Sequence, residues 1–212
     1  MKTKKFTTSQ LTILGLMAGI LFLMAYTPLG YLNIGPLAVT FNVIPVAVCA
    51  IVLGPTGGAI AGAVFGLTSF MQAMGIGGVS ALGSALFQIN PFMTAVQCFG
   101  PRILDGICIG FIYRAVHKKA NTYVSCAVTG FFSAFLNTLF FMTALIVMFG
   151  NTELIRNLMG GHNIIVGCCL MVGVNAISEM VSSTIITAAV GTALSKAHLI
   201  PAVQIVKTDT AA

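Results

Sequence analysis

Charge is nearly missing from this chain over runs long enough to cross a bilayer. Between residues 10 and 194 the only Asp, Glu, Lys or Arg side chains are Arg102, Asp105, Arg114, Lys118, Lys119, Glu153, Arg156 and Glu179. Across all 212 residues 58% are hydrophobic and 7% charged, whereas a soluble domain carries about 25% charged residues. So few charges cannot cover a water-facing surface. Lipid tails accept apolar side chains, so the composition demands a membrane protein.

Punctuation divides the chain into six apolar segments, at about 10–26, 38–53, 59–74, 92–116, 124–149 and 165–194. Most approach the ~20 residues that cross ~30 Å of hydrocarbon, those at 38–53 and 59–74 being short. The expected fold is therefore an all-α membrane protein, a single integral domain of six transmembrane helices. The start "MKTKKFTTSQLTILGLMAGILFLMAY" has the basic and apolar regions of a signal peptide. No small-x-small site follows, so a retained first helix is expected.

The basic residues set the orientation. With the N-terminus inside, Lys2, Lys4, Lys5, Arg114, Lys118, Lys119, Lys196 and Lys207 are cytoplasmic, which is eight of the ten Lys and Arg residues. The reverse orientation would put only Arg156 inside. Both termini are thus expected in the cytoplasm. The outer loops, at 27–37, 75–91 and 150–164, are long, uncharged for the most part and rich in Gly, Asn and Ser. Loops of that size serve as lids or binding loops, or as tolerated linkers.

Several function classes drop out. The +6 net charge forms no basic face and no nucleic-acid motif accompanies it, so no nucleic-acid partner is expected. The six cysteines lie in apolar stretches without C-x-x-C spacing and the three histidines are scattered, which predicts neither a metal site nor a disulfide framework. No cofactor is expected. There is no G-x-x-x-x-G-K-[ST], H-E-x-x-H or G-x-S-x-G, so neither an ATPase nor a hydrolase site is legible.

The polar residues inside the apolar segments carry the functional argument. A charge at membrane depth costs about 2.5–3.5 kcal/mol on insertion scales. Arg102 lies about 15 Å along its helix from residue 92. Asn137 is about as deep on the next helix, and Asn175 and Glu179 lie about 15–21 Å down the last. A shared cavity would gather them. Arg102 could hold a carboxylate bidentately, or pair with Asp105 three residues on, or with Glu179. Asn137 could serve a ligand amide or hydroxyl, or an interhelical hydrogen bond. Gln97, Thr138 and Gln88 are secondary candidates. Gly15 and Gly19 form G-x-x-x-G beside Ala18, and Gly58, Gly62 and Gly66 recur at the same spacing. Such stripes admit a close helix, from this chain or another.

The segments "AYTPLGYLNIGPLAVTFNVIPV", "AIVLGPTGGAIAGAVFGLTSF", "GPRILDGICIGFIYR" and "GFFSAFLNTLFFM" resemble the substrate-binding S component of bacterial energy-coupling factor (ECF) vitamin transporters. The resemblance spans nearly the whole chain. It implies a bacterial cell-membrane protein of six helices with both ends cytoplasmic and a vitamin pocket near the outer face. It also implies docking on a transmembrane coupling subunit joined to two cytoplasmic ATPases, and release by toppling in the lipid. Docking in the family uses an A-x-x-x-A-like motif on the first helix, matched here by Gly15 and Gly19 with Ala18. "TPLGY", "IGP" and "FGLTSF" are similar to the pantothenate branch. There Arg102 would take the carboxylate, Asn137 and Asn175 the amide and hydroxyls, with Asp105, Glu179, Gln97 and Thr138 nearby and Tyr31, Asn33 and Phe70 closing over the ligand. Folate or riboflavin are the alternative vitamins. A stand-alone secondary carrier or channel is the alternative class.

Overall fold

The computed structural model describes residues 7–27, 31–33, 38–77, 80–158 and 164–200, with the backbone alone at 31–33, 38–39, 164–172 and 174. The described elements run α1 (Thr8–Ala25), β1 (Tyr31–Asn33), β2 (Ala38–Thr40), α2 (Val43–Ala73), α3 (Ala81–Ile89), α4 (Pro91–His117), α5 (Thr122–Phe149), α6 (Glu153–Leu158) and α7 (Ile164–Lys196). Five helical stretches, in α1, α2, α4, α5 and α7, are long and apolar enough to cross a membrane. The protein is a multi-pass helical membrane protein.

The expected helical fold holds, with three local departures. β1 and β2 form an antiparallel pair matching Tyr31 with Thr40 and Asn33 with Ala38. Residues 38–40, expected to open a helix, are extended instead. "LAVTFNVIPV" is a short β-branched and apolar run, for which periodicity does not separate strand from helix. The expected loops at 75–91 and 150–164 contain α3 and α6. Ser80 and Asn90 start α3 and α4 by accepting from the N–H groups of Gly83 and Met93, satisfying donors that a helix start leaves free.

The segments expected at 38–53 and 59–74 are the two arms of α2, 43–53 and 55–73, joined at Gly54. Gly54 has φ 73 and ψ −163, a conformation that glycine adopts without a Cβ penalty, and Pro55 follows. The chain reverses here. In a straight helix residues eight apart are about 12 Å apart, yet a methyl group on Gly58 would lie 3.0 Å from the Cβ of Ala50. The guanidinium of Arg114 lies over Gly54, where a Cβ would go.

Each arm has its own partner. The second arm runs antiparallel to α4: a Cβ on Gly58, Gly62 or Gly66 would strike the carbonyls of Gly106, Arg102 and Cys98 in turn. The Gly58, Gly62, Gly66 stripe therefore serves packing within this chain. Small residues let the two backbones approach closely where lipid offers no hydrophobic drive. The first arm lies along α5, where Ser133 Oγ donates to the Val43 carbonyl. Every residue from Val43 to Leu53 is buried, so this arm meets protein on all sides. Leu21, Val43, Val46, Ala47, Ala50, Phe65, Ile109 and Ala134 build the central core.

Candidate functional site

Arg102 projects from α4 toward that helix's N-terminal end, the direction in which helical side chains lean. Its Nη1 donates to the carbonyls of Gln97 at 3.2 Å and Cys98 at 3.0 Å. Two rings flank the guanidinium, Phe65 of α2 with its centroid at 4.7 Å and Phe141 of α5 at 5.4 Å. Cation–π contacts of this kind contribute about 0.5–2 kcal/mol each, depending on desolvation. Nε has no partner.

Asp105 lies three residues on, and no ion pair joins it to Arg102, although the Arg102 charge is felt at both Asp105 and Glu179. Asp105 is buried, and its Oδ1 is unpartnered. Among the described residues no carboxylate lies within ion-pair distance of Arg102. Gln97 stands beside it, donating from Nε2 to the Phe141 carbonyl at 2.9 Å while its Oε1 is unpartnered.

The packing of α5 on α7 sets the height of the other groups. Gly130 abuts Ser183 and Thr187, and Gly191 abuts Cys126. Carrying that antiparallel register forward puts Asn137 level with the stretch holding Asn175 and Glu179. All three side chains are buried. Glu179 reaches the hairpin, its Oε1 accepting the Thr40 N–H at 2.6 Å. The β1–β2 hairpin is thereby tied to α7. Arg102, Gln97, Asn137, Asn175 and Glu179 thus occupy one level of the bundle, on three helices.

Other expected residues fall elsewhere. Thr138 is half-buried and turned around α5 from Asn137. Gln88 is exposed on α3. Phe70 joins α2 to α3 and α4, with its ring centroid 5.9 Å from Phe87 and 6.2 Å from Phe99. It anchors α3, and nothing in these contacts places it over a ligand. The side chains of Tyr31 and Asn33 lie outside the described residues. Sequence reasoning missed Phe65, Phe141 and Thr40. A phenylalanine in an apolar helix carries no signal of its own, and the Thr40 contact spans a separation of 139 residues.

On α1, Gly15 and Gly19 are exposed, and nothing in the structure lies within 4 Å of where their Cβ atoms would be. Leu11, Leu16 and Leu23 share that open side, each more than half exposed. Ala18 is half-buried at its edge.

A polar cluster inside a membrane bundle, with a guanidinium that no described carboxylate pairs, suits ligand capture. Comparison with known proteins agrees. The sequence matches the family described as "ECF transporter, substrate-specific component" over residues 9–191. The chain belongs to this family. It is 33% identical over 178 residues to the pantothenate transporter PanT of Leuconostoc mesenteroides subsp. mesenteroides, covering 81% of each chain. It is 28% identical over 208 residues to the pantothenic acid transporter PanT of Lactococcus lactis subsp. cremoris, covering 92% of this chain and 98% of that one. The S component is a membrane-transport subunit rather than an enzyme.

Proposed function

We propose that this S component captures pantothenate at the outer face of a bacterial plasma membrane and delivers it to an ATP-driven importer. Pantothenate carries a carboxylate at one end, an amide in the middle and two hydroxyls at the other. The observation that carries the reading is Arg102: a guanidinium held between two aromatic rings, with its Nε unpartnered and no ion pair to Asp105. Asn137, Asn175 and Glu179 supply amide and carboxylate groups suited to the remaining polar atoms. The substrate in the names of both relatives supports the same choice.

The reversal at Gly54 supports counting the arms of α2 as two crossings. With α1, α4, α5 and α7 this makes six, which returns both termini to one side. The Lys and Arg distribution makes that side the cytoplasm. The open face of α1 around Gly15 and Gly19 is the surface that docks on the transmembrane coupling subunit, itself joined to two cytoplasmic ATPases. Toppling of the docked chain then releases the vitamin inside.

The test is uptake into lipid vesicles. The chain alone should accumulate no labelled pantothenate. Adding the coupling subunit, both ATPases and ATP should produce uptake. Accumulation by the chain alone would instead establish a self-sufficient carrier.

A further inference from the structure

One buried polar side chain has no task in the description so far. Asn42 stands between β2 and α2. It is 0% exposed, and neither its Oδ1 nor its Nδ2 has a partner. It precedes α2, yet its side chain makes no capping hydrogen bond. Leaving a buried polar group unbonded costs about 1–3 kcal/mol, and such groups are rare enough to need a reason.

The backbone on both sides of Asn42 is pinned. The Thr40 N–H is held by Glu179 of α7 at 2.6 Å, and the Val43 carbonyl by Ser133 of α5 at 3.3 Å. The Asn42 N–H itself donates to Thr40 Oγ1 at 3.3 Å. Ser133 lies one turn from Asn137. The segment that carries the unbonded amide is therefore held between Glu179 of α7 and Ser133 of α5, at the level of the candidate site.

We propose that Asn42 reads the hydroxy-acyl end of the ligand. Its Oδ1 accepts the proton of the hydroxyl next to the carbonyl, and its Nδ2 donates to that carbonyl oxygen. An α-hydroxy carbonyl presents a donor beside an acceptor, and a primary amide presents the complementary pair. The proposal rests on the pantothenate reading and deepens it: Arg102 reads charge at one end, and Asn42 reads configuration at the other.

The hydroxyl sits on a stereocentre, so mirror-image pantothenate keeps the carboxylate and misplaces the hydroxyl. Both enantiomers are titrated calorimetrically into the purified full-length chain, its Asn42→Leu variant and Arg102→Gln. Wild type should prefer the natural enantiomer by about tenfold or more, the size of one or two hydrogen bonds. Asn42→Leu should bind the natural form about tenfold more weakly, with discrimination reduced to about twofold or less. Arg102→Gln should weaken both enantiomers alike. Without ligand, Asn42→Leu should melt at or above the wild-type temperature, because an unbonded buried amide has gone. If the leucine variant does not fold, Asn42→Ala is read by the same binding criteria. Retained discrimination, or equal loss for both enantiomers with a lowered melting temperature, overturns the role of Asn42 while leaving pantothenate binding intact. A wild-type chain that binds neither enantiomer overturns the substrate reading and this inference with it.

Discussion

Exchanging Arg102 for glutamine removes the positive charge at the centre of the site and keeps a side chain able to donate to the carbonyls of Gln97 and Cys98. The effect on affinity follows from the geometry. A bidentate contact from the free Nε and the adjacent Nη2 would make two charge-assisted hydrogen bonds, each contributing about 1.5–3 kcal/mol. Arg102 as a whole is only half-buried, so solvent screening reduces that sum to about 2–4 kcal/mol. The loss in affinity is then about 30- to 700-fold. Lysine would keep the charge but lose the planar fork and its ring stacking, an intermediate loss of about tenfold. The assay is a cycle of two proteins and two ligands read by calorimetry: wild type and Arg102→Gln, against pantothenate and the alcohol with CH2OH in place of the carboxylate. Wild type should favour the acid strongly, and the variant should bind acid and alcohol about equally. Equal weakening of acid and alcohol by Arg102→Gln would refute the assignment, because the residue would then be acting through the fold and not through the carboxylate.

Three other outcomes follow from the packing. Glu179→Ala should speed pantothenate dissociation by about tenfold in stopped-flow exchange, because the Thr40 N–H loses its acceptor and the hairpin its tie to α7. Gly62→Ala should destabilise the protein by about 1–3 kcal/mol in thermal melts, and also weaken binding, since the new methyl meets the Arg102 carbonyl and forces α4 away. Gly15→Leu with Gly19→Leu should abolish copurification with the coupling subunit while leaving pantothenate affinity unchanged, because both glycines face open space and touch no residue of the site.

What the sequence disclosed depended on how local the signal was. The apolar segments and the conspicuous Arg102 could be read directly, since each stands against a uniform background. The Gly58, Gly62, Gly66 stripe announced a close helix, although only the structure identifies its partner as α4. Arg102 and Asp105 are spaced for pairing, and spacing alone left that open. In the structure the arginine donates to the Gln97 and Cys98 carbonyls and forms no ion pair with Asp105. Residues 38–40 are a strand because they pair with residues 31–33, and Thr40 is tied besides to Glu179, a contact invisible to any window along the chain. Asn42 gave no signal for the same reason: a single asparagine beside "VIPV" gains meaning only when its burial and its empty hydrogen-bonding capacity are known. The reversal at Gly54 was placed within a few residues by "GPTGG", a combination whose glycine and proline both interrupt helices.

The most direct measurement is a titration of the purified chain, without coupling subunit, ATPases or ATP, against pantothenate, folate and riboflavin. The account predicts saturable binding of one pantothenate per chain and none of the other two at the same concentrations. Absence of pantothenate binding, or tighter binding of folate or riboflavin, would contradict it.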